Sequence, residues 1–165
     1  MSEIPEKPDL QKDLFKDELA RTVLNSLSAH IAILDQDGVI LETNTAWRQF
    51  AVKNGMPEDY DDRGANYLDI CDVSKGSDEA DASKVSQGIR DVISGHVDEF
   101  LHDYPCHSKD EQHWYYMRAI RMAGEGPVRV VASHEEITAL KLAEEALKQS
   151  QETLMEQKQS LEENN

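Results

Sequence analysis

Six histidines and two cysteines give this 165-residue chain its widest chemical repertoire. Such side chains can ligate a metal, hold a haem iron or take part in acid–base and thiol chemistry. His102, Cys106, His107 and His113 fall close together. On an extended strand His102 and Cys106 share a face, but at ~3.3 Å per residue they stand ~13 Å apart. Ligands bind zinc at ~2 Å, so these two cannot share one ion. His107 and His113 could face each other across a hairpin, but two ligands are too few for structural zinc. A polar loop is the preferred reading, and no metal site is assigned. His102 alternates with Phe100 and Tyr104, which puts all three on one strand face. Trp114 and Tyr116 share a face of the next strand. Phe100, His102, Tyr104, Trp114 and Tyr116 are therefore the candidate pocket lining, although core or dimer packing competes for the last two. A pocket-facing His102, or His96, would satisfy the single-ligand requirement of a haem; a hydrogen-bonded histidine at the core edge is the simpler alternative. Cys71 lies in Asp69-Ile70-Cys71-Asp72, where acidic neighbours raise a thiol pKa and disfavour redox chemistry.

No constellation supports an enzyme. The phosphate-cradling G-x-x-x-x-G-K and G-x-G-x-x-G loops and the G-x-S-x-G elbow are absent. Asp59-Tyr60-Asp61-Asp62 lacks the remaining positions of a calcium loop and reads as a solvated turn. Asp and Glu number 33 against 17 Lys and Arg, a formal charge of −16. Such a surface repels phosphate, so nucleic acid and anionic membrane are poor partners. The acidic, Pro-containing start has no apolar signal region, and the longest apolar run is Ile31-Ala32-Ile33-Leu34, against the ~20 residues of a membrane helix. Cys71 and Cys106 read as reduced thiols in a cytoplasmic protein.

The elements that must position these residues fall into three segments after a disordered stretch, 1–8. Leu10, Leu14, Phe15, Leu19, Val23, Leu24 and Leu27 make one apolar face of a helix over 9–28, with Asp9 as its cap. The domain proper spans 29–138. Two apolar runs flank Asp35-Gln36-Asp37-Gly38, which predicts a hairpin, and Asn44 caps a helix starting near Ala46. Asn54 to Ser77 reads as turns and short pieces. Val85, Ile89, Val92 and Ile93 predict a helix over 81–93 that Gly95 ends. Val97–Tyr104, Gln112–Met122 and Val128–Ala132 predict three strands. Two strands, helices, then three strands argue α+β with one antiparallel sheet. In 139–165, Leu140, Leu147, Leu154 and Leu161 recur every seven residues without Gly or Pro. They predict a heptad-seamed signalling helix or coiled coil, with an amphipathic helix lying back on the sheet as the alternative.

Asp35-x-Asp37-Gly38-x-Ile40-x-x-x-Asn44-x-Ala46 resembles the opening hairpin and helix start of a PAS sensor domain. Glu136-Ile137-Thr138 is similar to the Asp-Ile-Thr motif that closes many PAS domains, with Glu in place of Asp, and Trp114-Tyr115-Tyr116-Met117-Arg118 sits where such domains carry an aromatic strand. The resemblance covers Leu24 to Thr138. It implies a PAS fold: a five-stranded antiparallel sheet with flanking helices around a small pocket, between the N-terminal amphipathic helix and the long C-terminal helix. It further implies a bacterial signal-transduction module, homodimeric and not itself catalytic, that detects a small ligand or partner. The relay would run through Glu136, Thr138, Leu140, Leu147, Leu154 and Leu161 to an output kinase, cyclase or regulator domain in cis or trans. A haem- or flavin-binding gas or redox sensor and a ligand-free structural adaptor are the alternatives. The helix that usually supplies the haem ligand has no histidine here, and the Asn-Cys-Arg-Phe-Leu-Gln motif of flavin photoreceptors is absent. Ser133-His134-Glu135 is also similar to the phosphoacceptor box of sensor histidine kinases, which would make His134 a phosphoacceptor; its place after a β-branched run predicts a strand end instead.

Overall fold

The computed structural model describes residues 10–107 and 110–164, without the side chains of 10–15 and 77. The expected disorder of 1–8, the Asp9 cap and the side chains of Leu10, Leu14 and Phe15 lie outside the described residues. The sheet contains β1 (His30–Asp35), β2 (Ile40–Thr43), β3 (Glu99–Pro105), β4 (Trp114–Arg121) and β5 (Arg129–Glu136). Its order is β2-β1-β5-β4-β3, antiparallel throughout. The last strand in sequence thus occupies the middle of the sheet. It pairs His134 with His30 on one side and with Met117 on the other.

The β1–β2 turn follows from two side-chain facts. Asp35 Oδ1 accepts hydrogen bonds from the Asp37 and Val39 amides at 2.8 and 2.9 Å. Gly38 sits at φ +84°, and a Cβ there would lie 2.6 Å from Leu68, so only glycine meets both demands. Asn44 caps α2 (Thr45–Lys53) by accepting from the Trp47 amide at 3.0 Å. It is fully buried, accepts from the Ile31 amide, and donates to the carbonyls of Leu24 and Ala29. One side chain therefore joins α2, β1 and the end of α1 (Leu10–Ser26).

α3 (Tyr67–Asp72), a single 3₁₀ turn (Gly76–Asp78) and α4 (Glu79–Ser94) form the crossover between β2 and β3. The Asn54–Ser77 stretch thus holds more helix than its turn residues predict. Asn66 nucleates α3 by accepting from the Asp69 amide. Asp72 accepts from Ser86 Oγ at 2.6 Å and from Arg90, fastening α3 to α4. Gly95, left-handed at φ +80°, ends α4. Ile89 and Val92 of α4 are fully buried with Leu34, Ile40, Met117, Ala119, Val130 and Ala132. Each large side chain so buried contributes ~1.5–3 kcal/mol. A Cβ on Gly88 would strike the Phe100 ring, so α4 approaches the sheet closely there.

α5 (Thr138–Glu163) buries none of its residues. Leu140, Leu147, Leu154 and Leu161 are 56–68% exposed, so the helix does not lie back on the sheet. Leu19 and Val23 on α1, and Leu27 just beyond its end, are likewise about half exposed. Among the described residues no helix is long and apolar enough to cross a membrane.

Candidate functional site

β5 alternates with a period of two: Val130, Ala132 and His134 point inward and are buried. The strand continues to Glu136, beyond the expected end at Ala132, so His134 sits inside the sheet rather than at a strand end. Its Nδ1 is 2.8 Å from Tyr104 Oη on β3, and its Nε2 is 3.1 Å from Tyr67 Oη on α3. These three side chains form a polar partition between two cavities. The larger, about 390 Å³, is lined by Trp47 and Phe50 of α2, Tyr60 and Asp62 of the following loop, Tyr115 of β4, and His30. The smaller, about 170 Å³, is lined by Cys71, Ala82, Val85, Cys106, Asp78 and Asp81. Tyr67, Tyr104 and His134 line both.

The partition is uncharged near neutral pH. Burial, helped by nearby His30, lowers His134 to about 4. Burial also pushes the Tyr67 and Tyr104 phenols well above their ordinary value and the Cys71 thiol up to about 11. A neutral imidazole donates from one nitrogen and accepts at the other. One tyrosine hydroxyl therefore donates to His134 while the other accepts from it. Cys71, one helical turn beyond Tyr67 on α3, lines the smaller cavity beside it. In the larger cavity the Trp47 indole N–H donates to Asp62 Oδ2 at 2.7 Å and so fixes the ring.

Two residues beyond His134, β5 meets the root of α5. Glu136 Oε1 accepts from the Thr138 hydroxyl at 3.0 Å and lies 2.6 Å from His113 Nδ1. The Trp114 amide donates to Thr138 Oγ1, and the Ile137 amide donates to the Trp114 carbonyl. Lys141, in the first turn of α5, pairs with Asp103 of β3 at 2.5 Å. The longer glutamate at the Asp position of the closing motif thus still reaches Thr138.

The five residues expected to line a pocket separate. Tyr104 belongs to the partition. His102 stacks between Phe100 and Tyr104, with centroids 6.2 and 6.3 Å away, but its Nε2 is paired with Asp81 at 2.8 Å and it lines neither cavity. Phe100 packs on the core beneath Gly88. Trp114 and Tyr116 are a correction: they lie on the opposite face of β4 from Tyr115, Met117 and Ala119, which point inward. Arg118, exposed and in phase with Trp114 and Tyr116, marks their face as outer. Sequence patterning does not single out Tyr67, Tyr115 or His134 as pocket residues, and Trp47 and Phe50 join them in the larger cavity. The Val130-Ala132-His134 alternation was the available signal for His134. His107 packs edge-on against Trp114 at 4.7 Å, and His113 is held between Glu111 and Glu136, so the two do not form a ligand pair. Among the described residues no group of three or more His, Cys, Asp or Glu side chains could hold a metal ion. His134 does not meet the phosphoacceptor requirement of exposure on a helix, being 8% exposed within a strand.

No protein-family model matches the chain. It is 37% identical over 123 residues to the uncharacterized 104.1 kDa protein in the hypE 3′ region of Rhodobacter capsulatus, an alignment covering 73% of this chain but 13% of that protein. The PAS domain of Bordetella pertussis BvgS superposes with a TM-score of 0.54 at 17% identity, over 82% of this chain and 98% of that one. A PAS domain from Colwellia psychrerythraea gives 0.52 at 15% identity, over 77% and 99%. The chain has the PAS fold. An RNA-binding light-oxygen-voltage receptor also superposes, at 0.53 and 12% identity, over 95% of this chain and 42% of that one.

Haem and flavin, the two cofactor alternatives, call for an iron-ligating histidine and for cations that meet carboxylate or phosphate. His96 and His102, the two expected iron ligands, line neither cavity; His102 is paired with Asp81, and His96 with Ser94. Haem carries carboxylates and flavin nucleotides carry phosphate, and among the described residues no Lys or Arg lines either cavity.

Proposed function

We propose that this PAS-fold chain is a sensory and dimerisation module of bacterial signal transduction, without catalysis of its own. Residues 29–138 detect a small ligand in the larger cavity, and residues 139–165 carry the response as a parallel coiled coil. The observation that carries this reading is the position of His134. It walls the cavity on the central strand, and the same strand enters the Glu136–Thr138 junction two residues later. A ligand that displaces the Tyr67–His134–Tyr104 partition therefore acts on the strand that feeds α5. The exposed leucines of α1 and α5 supply apolar faces for a second copy, and an output kinase, cyclase or regulator domain would follow in cis or trans. The free thiols Cys71 and Cys106 suit a reducing cytoplasm. A cavity of about 390 Å³ favours ligand detection over a purely structural adaptor.

Two experiments test the reading. Sedimentation of the Leu147→Glu/Leu154→Glu protein should yield monomers or splayed dimers; an unchanged dimer with unchanged helix content refutes the seam. Native mass spectrometry and a small-molecule stability screen should find a species that protects the α5 root from hydrogen exchange. Protection confined to the cavity, with α5 unaffected, refutes the relay.

A further inference from the structure

We propose that the larger cavity receives a small organic cation, an ammonium group carried on an apolar body; this rests on the cavity being the ligand site. Five aromatic residues line its wall, Trp47, Phe50, Tyr60, Tyr67 and Tyr115, and the quadrupole of an aromatic ring attracts a cation to its face. Trp47 and Tyr67 stand 5.9 Å apart at 55°, two sides of an open aromatic cage. Among the described residues, Asp62 is the only Asp or Glu lining the cavity, and no Lys or Arg lines it. The two lining histidines, His30 and His134, are both shifted by burial toward the neutral form, so neither opposes a positive guest. Asp62 holds the Trp47 indole in place through the 2.7 Å bond, so the carboxylate and the best cation-binding ring are set side by side. The volume, about 390 Å³, lies at the lower end of the range for small-molecule sites. The net charge of −16 raises the local concentration of cations and repels carboxylates and phosphates.

Benzyltrimethylammonium, benzyl alcohol and phenylacetate probe the three charge states on one aromatic body. Binding to the full chain is followed through the Trp47 indole N–H in proton–nitrogen correlation spectra, with Trp114, on the outer face of the sheet, as control. The ammonium probe should shift Trp47 alone and bind about tenfold more tightly than the alcohol, with no binding of phenylacetate. Asp62→Asn keeps an acceptor for Trp47 and removes only the charge; it should bring the ammonium probe down to the affinity of the alcohol. Equal binding of alcohol and ammonium by the wild-type protein, or tighter binding of phenylacetate, overturns the cation assignment and leaves the cavity as the ligand site. Failure of all three probes to move Trp47 at millimolar concentration overturns both.

Discussion

His134 and His113 sit within one corner of the sheet and experience opposite electrostatics. His134 is enclosed by two tyrosine hydroxyls, and burial drives its pKa down. His113 lies at the surface between Glu136 and Glu111, and hydrogen bonds to those carboxylates drive its pKa up. One imidazole is held neutral as part of a cavity wall, and the other is biased toward its charged form as part of a junction. The same residue type thus serves a dry partition at His134 and a wet clasp around Glu136, two residues further along β5, because desolvation dominates at one and charge pairing at the other.

Acid separates the two most strongly. The unfolded chain protonates His134 near 6.5, the folded chain only near 4. Its contribution is therefore present in full above pH 6.5 and is lost as pH falls toward 4, on the order of 3 kcal/mol. Urea unfolding at stepped pH should show this slope, and His134→Gln should flatten it. His113 has the reverse sign: its pairing is complete below its ordinary value near 6.5 and is lost as pH rises through the raised folded value. Next in size, Tyr104→Phe removes one hydroxyl from the partition and should cost about 1 kcal/mol in the same assay. Glu136→Gln should return His113 toward its ordinary pKa in an NMR titration while leaving His134 unmoved; a coupled shift at His134 would erase the distinction. Smallest of all, Trp114→Phe, on the outer face of β4, should leave the Trp47 indole signal unchanged.

The fold was largely legible because local chemistry dictates it. Asp35 and Gly38 make the turn, Asn44 caps a helix, and Gly95 stops another. The site was less so. Three consecutive aromatics, Trp114-Tyr115-Tyr116, carry no parity of their own, and the reading placed the outer pair inside. Arg118 in phase with Trp114 and Tyr116, and Met117 and Ala119 in phase with Tyr115, held the correct answer. Tyr67 lies in a stretch whose turn residues masked the helix α3, and its approach to His134 spans 67 positions of sequence. No periodicity encodes such a contact; it exists only once the crossover has packed on the sheet.

The 26 residues of α5 make a rod of about 39 Å at 1.5 Å per residue. Its described attachments to the sheet are at Thr138 and Lys141, in its first turn. It therefore has the geometry of a long lever on a short fulcrum: a tilt of about 5° at the junction sweeps the far end through ~3 Å. Close-packed side chains tolerate far smaller shifts than that, so a leucine seam along the proposed coiled coil would register small rearrangements at Glu136 where the helix ends.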